Sequence, residues 1–170
     1  PMLTNDYLDQ VRDLETKLRE IDVDGAALTK ALSMADADAA ASHSRLMKLA
    51  KPEIRIAGMR SVMPVFVDAL LTPYALPAMP DPDRPDESVT VDENSNRKFR
   101  IMLRSLEHLD ADKKTRLIAA VEQTVADHTD QPEWQELAGS DSSMVTGYYV
   151  MMARLVSQLV ADQWRCFVAS

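Results

Sequence analysis

The strongest constraint in this chain is the stretch from Met144 to Val168. Met144, Val145, Tyr148, Met151, Met152, Leu155, Val156, Leu159, Val160, Trp164, Phe167 and Val168 recur at helical spacing and cover about half the circumference of one helix. At 1.5 Å per residue that helix is roughly 40 Å long. An apolar arc so wide predicts contact with several neighbours at once, as for the middle helix of a bundle. Arg154, Gln158, Asp162 and Gln163 interrupt the run, so it reads as a buried helix and not as a membrane span.

Helical spacing extends over most of the remaining chain. Asn5 or Asp6 can cap a first helix whose apolar positions Tyr7, Val11, Leu14, Leu18 and Ile21 advance in steps of four, three, four and three. Asp24 reads as the cap of a second helix over residues 25–35, and a third, alanine-rich helix is expected over residues 36–51. Pro52 suits the first turn of a fourth helix, which Pro64 should bend. Helices are expected again over residues 96–109 and from Asp110 to His128. A short turn runs from Pro132 to before Gly139, and Asp141 is read as the cap of the last helix. Glycine is scarce, at four residues, and valine and isoleucine do not alternate as in strands. The fold class read from this pattern is all-α: a compact multi-helix bundle with a long central C-terminal helix. It forms one domain over residues 1–170, with helices in 1–71 and in 97–170.

Between those halves the composition changes. Residues 72–96 carry Pro73, Pro77, Pro80, Pro82 and Pro85 among Asp81, Asp83, Asp86, Glu87, Asp92 and Glu93. Closely spaced prolines remove helix donors and the acids repel one another, so this stretch is expected as a long acidic loop.

Chemistry is hard to find. Glu20, Asp22, Asp24 and Gly25 fit the first, third, fifth and sixth positions of a calcium loop, but the twelfth, where a bidentate carboxylate is required, is Ala31. None of His43, His108 and His128 has a glutamate three residues before it, as a helical di-iron site would need. Ser42 and Ser44 flank His43 on different helix faces. Cys166 lies near a helix end whose dipole disfavours a thiolate. The acid–histidine clusters at residues 107–110 and 127–130 lie at predicted helix ends, where charged groups are ordinary. No catalytic residue, cofactor or metal ligand is therefore assigned.

The net charge of −8 argues against general nucleic-acid binding, since such binding rests on lysine and arginine meeting phosphates. The basic cluster Arg97-Lys98-Phe99-Arg100 with Arg104 is read as a solvated face or a counterpart of the acidic loop. One cysteine excludes an internal disulfide and fits a reducing, cytoplasmic setting. The functional expectation is a non-catalytic helical interaction protein: an assembly factor, adaptor, chaperone or inhibitor of bacterial or phage type. Its partner is expected to be a protein or a second copy, bound through Tyr7, Val11, Leu14, Leu18 and Ile21 as a heptad seam. The alternative is a ligand-binding or catalytic bundle with a site buried between the last helix and the proline-bent one.

Overall fold

The computed structural model describes residues 3–43, 47–72, 98–106, 108–138 and 143–169. The turn at Asp24 and Gly25 governs its architecture. Both residues have positive φ, 53° and 79°. A two-residue hairpin loop uses this pairing because it matches the twist of the flanking strands. Glycine meets the requirement without a Cβ, and aspartate is among the few residues that tolerate it. The Gly25 amide donates to the Asp22 carboxylate at 2.7 Å and tightens the reversal. Strand β1 (Asp22–Val23) therefore pairs antiparallel with β2 (Ala26–Leu32).

Strand pairing corrects the all-α expectation. Strand β2 also pairs antiparallel with β5 (Met102–Ser105), giving a three-stranded sheet in the order β1-β2-β5. A second, two-stranded sheet joins β3 (Leu71–Thr72) to β4 (Lys98–Phe99). The fold is mixed, with a helical majority. Strand β2 takes up most of the segment expected as a helix over 25–35, and β4 and β5 lie among the described residues of the segment expected as a helix over 96–109. Alanine, leucine and lysine in β2 favour a helix by propensity alone, but ladder pairing on both sides outweighs a preference of about tenths of a kcal/mol per residue. The strands of the larger sheet come from both sides of residues 73–97, which lie outside the described residues together with the acidic loop expected there.

Helix α1 (Asn5–Arg19) is the element around which the others are arranged. Thr4 caps it, accepting from the Tyr7 amide at 3.2 Å. Its inward face meets β2, α2 (Met34–Ala41), α5 (Ala111–Thr129) and α6 (Pro132–Ala138). Tyr7, Leu8 and Val11 share a core with Met34, Ile56, Leu70 and Trp134, while Leu14 and Leu18 meet Val121. Aromatic contacts join the elements at Tyr7, which stands 5.6 Å from Phe99, edge-on, and 5.5 Å from Trp134, centroid to centroid. A short 3-10 turn (Met47–Leu49) precedes α3 (Pro52–Val62), and α4 (Pro64–Leu70) comes after it. Pro64 does more than bend a helix. Met63 leaves the helical region at φ −133° and ψ 63°, and Pro64 begins a new helix at its first position.

Helix α7 (Tyr148–Ala169) reverses the other main expectation. It is not central. Of its described side chains only Val150 is buried. The caps expected for its neighbourhood, Gly139 and Asp141, lie outside the described residues. No helix among the described residues is long and apolar enough to cross a membrane.

Candidate functional site

Helix α1 has a polar seam inside its apolar face. Glu15 occupies the same face as Val11, Leu14 and Leu18 and is fully buried. Neither of its oxygens has a hydrogen-bond partner of good geometry among the described residues, and the Arg19 guanidinium stands at 4.0 Å. Burial pushes the Glu15 carboxyl above the ordinary carboxylate range, against the opposing pull of the Ser33 hydroxyl and aided by nearby Asp36. Ser33 itself caps α2 by accepting from the Ala35 amide at 2.9 Å.

One turn along α2, Asp38 is also fully buried and is held at both oxygens by Arg55 of α3. The Nε–Oδ1 and Nη2–Oδ2 distances are 2.6 and 2.7 Å. The same guanidinium donates to the Ala50 carbonyl at 2.7 Å and to Asn5 Oδ1 at 3.1 Å, tying α1, α2 and α3 into one clasp. Arg12 approaches Asp38 at 3.7 Å while it also pairs with Asp9. The fork of Arg55 is occupied by protein groups, so its role is structural.

His128, near the C-terminus of α5, is another buried polar group. The Lys17 ammonium donates to its Nδ1 at 3.1 Å, so that nitrogen is unprotonated. Its Nε2 has no hydrogen-bond partner of good geometry among the described residues, and its ring meets Trp134 edge-on at 5.2 Å. Burial lowers its pKa, reinforced by Lys17 and opposed by Asp13 at 3.7 Å and by the backbone of Gln10. Glu15, Asp38 and His128 are all closed to solvent, so no substrate reaches them in this conformation. Among the described residues no three histidine, cysteine, aspartate or glutamate side chains converge as a metal site.

The exposed feature is α7. One side faces α5 across an open groove of about 310 Å³, lined by Thr115, Ile118, Ala119 and Glu122 on α5 and by Val150, Ala153, Arg154 and Gln158 on α7. Arg154 reaches Glu122 at 2.8 Å, and Lys114 lies 5.0 Å from the centre of the Tyr149 ring. Beyond the groove, α7 carries Tyr148, Met151, Met152, Leu155, Val156, Leu159 and Val160 in solvent. Tyr148 is 66% exposed, Met151 62% and Leu159 56%. Large apolar residues scattered over a surface need no explanation, but a contiguous stripe marks an interaction site.

The structure places the residues expected to bind a partner elsewhere. Tyr7, Val11, Leu14 and Leu18 are buried against the chain's own elements, and Ile21 is partly buried beside Leu14 and Leu18. The heptad seam is thus covered within the chain. Of the clusters considered in the sequence, His128 is brought to Lys17 and Asp13, across from α1. His43 is exposed, with its Nδ1 donating to the Ala39 carbonyl at 2.8 Å. The Asp24 carboxylate pairs with Arg116 of α5 at 2.5 Å, in a hairpin and not in an ion-binding loop. Glu107 lies outside the described residues. The Asp38–Arg55 clasp has no sequence signal, because its partners lie 17 residues apart in separate helices.

No protein-family model matches the chain, and neither a curated protein nor a solved structure matches it.

Proposed function

We propose that this chain is a non-catalytic interaction protein, of the assembly-factor, adaptor, chaperone or inhibitor kind, that docks through the outward face of α7. One observation carries the reading: a helix of 22 residues whose described apolar side chains are nearly all in solvent. Solvating such a stripe forfeits about 25 cal/mol for each Å² left uncovered, and a complementary apolar surface recovers it. Met151 and Met152 add a soft, adaptable contact. The partner is a protein and not nucleic acid, because the chain carries a net charge of −8. The single cysteine favours a cytoplasmic setting.

The test is a photo-activated cross-linking amino acid placed at Leu155 and expressed in the native host. An adduct of discrete mass supports the reading. If Leu155 yields no protein adduct in cells that contain the folded chain, α7 is not a docking face and the proposal fails.

A further inference from the structure

We infer that the partner of α7 is a second copy of this chain, bound through an antiparallel pairing of the two α7 helices; this rests on the docking reading above. The first support is area. A helix of 22 residues is about 33 Å long, and covering two fifths of its circumference removes roughly 600 Å² of accessible surface per copy. Doubled by a two-fold contact, that is about 1,200 Å², the lower bound of stable specific interfaces. The second support is charge. Ionic groups of α7 are engaged within the chain: Arg154 with Glu122 at 2.8 Å, and Arg165 with Asp162 at 3.3 Å. From residue 148 to 160 the stripe that remains outward is apolar and uncharged, so the surface that complements it is an apolar helix face like itself. Two chains of net charge −8 repel, and a neutral seam is where that repulsion costs least. A two-fold contact also covers both stripes at once and leaves no open site for a third copy.

The distribution of side chains along α7 sets the direction. Its N-terminal end carries Tyr148 and Tyr149, whose rings stand edge-on at 5.7 Å. Its C-terminal half carries Asp162 and Gln163, both exposed. A covered tyrosine needs a partner for its hydroxyl. Antiparallel pairing with the two-fold axis near residue 157 brings Tyr149 of one copy level with Arg165 of the other, whose guanidinium can donate to the hydroxyl, and holds the two Asp162 carboxylates about 15 Å apart along the axis. It also sets Leu155 against Leu159 of the second copy. Parallel pairing in register stacks aromatic end on aromatic end, brings the two Asp162 carboxylates to one level and leaves the hydroxyls unserved.

The experiment uses the full chain. Mass in solution is measured from about 1 to 100 μM, with Leu159→Glu beside the native protein. The native chain should approach twice its monomer mass. The variant should stay monomeric across the range, with its dissociation constant raised roughly a hundredfold and its helical spectrum unchanged, since Leu159 is not packed in the core. Direction is read with a short bis-maleimide. Cys166 of the two copies stands about 27 Å apart along the antiparallel axis, beyond its reach, but side by side in a parallel pair. The native chain should resist cross-linking, and Val156→Cys with Cys166→Ser should cross-link into dimers. A native chain that is monomeric at 100 μM, or whose dimer survives Leu159→Glu, overturns the inference. Efficient Cys166 cross-linking overturns the direction. A monomer that still gives a discrete hetero-adduct at Leu155 in cells refutes the second copy while leaving the docking reading intact.

Discussion

Replacing Asp38 by alanine should cost about 4 kcal/mol of stability. The substitution removes two charge-assisted hydrogen bonds, at 2.6 and 2.7 Å, each of which contributes roughly 1.5–3 kcal/mol. It also leaves the Arg55 guanidinium in a site it cannot leave, 6% exposed, with two neutral acceptors, Ala50 O and Asn5 Oδ1. Arg12, now 3.7 Å from the carboxylate, becomes a like charge with no carboxylate between it and Arg55. Breaking a buried pair from one side costs about 3–5 kcal/mol in other proteins, which agrees with the sum of the two bonds. For a fold held by roughly 5–15 kcal/mol this is a large fraction. Urea unfolding, read by far-ultraviolet circular dichroism at neutral pH, measures it. The double variant Asp38→Ala with Arg55→Met removes the stranded charge as well, and should be more stable than Asp38→Ala alone. A loss below about 1 kcal/mol for Asp38→Ala, or a double variant as unstable as the two single losses added together, would refute the reasoning.

The other buried and strained positions give three more tests. Glu15→Gln should stabilise the protein at pH 7 by about 1–3 kcal/mol, because the native carboxylate is buried without a well-placed donor. The folded pKa lies above the ordinary 4.5, so the folded chain binds the extra proton and native stability falls as pH rises through that window. The advantage of glutamine should therefore vanish below pH 4.5, and a constant difference across pH would contradict the assignment. For His128 the sign is opposite: its folded pKa lies below 6.5, so the unfolded chain binds more protons and stability falls as pH drops through 6.5. His128→Phe should flatten that part of the stability curve, and an unchanged slope would show that another group titrates there. Gly25→Ala should cost about 1–2 kcal/mol from φ alone, since nothing lies within 4 Å of an added Cβ; thermal unfolding with no change in midpoint would remove the hairpin argument.

Where local pattern and tertiary contact agree, the elements are legible in the sequence. Tyr7, Val11, Leu14 and Leu18 do form one buried helix face and Asp110 does precede α5, while the short turn expected from Pro132 is a seven-residue helix. The hairpin escapes a periodicity reading because Asp24 can cap a helix as well as occupy a left-handed turn. Gly25 beside it is the deciding signal, as Asp-Gly is among the strongest marks of a two-residue loop. The last helix shows the opposite failure. Its apolar arc identifies an element that wants cover, but hydrophobic periodicity carries no information on whether the cover comes from the same chain. The same ambiguity applies to α1, whose narrower stripe is the internal one. Glu15 is visible as an acid within an apolar face. Its burial is not, because that depends on β2 and α2 arriving over it.

The central place of α1 bears on how the chain is made. This helix leaves the ribosome well before α5 and α6, which complete its enclosure and lie about a hundred residues downstream. At about 5–20 residues per second the delay is on the order of 10 s. For that time Tyr7, Val11, Leu14 and Leu18 have only part of their cover, and a helix of 15 residues is marginal alone in water. The sheet does not relieve this early, because β2 pairs on its far side with β5, some 70 residues downstream. The nascent chain thus presents an apolar, incompletely enclosed segment ahead of its cover. Such a segment suits a ribosome-associated holdase, and folding is expected to be governed by the arrival of the later elements.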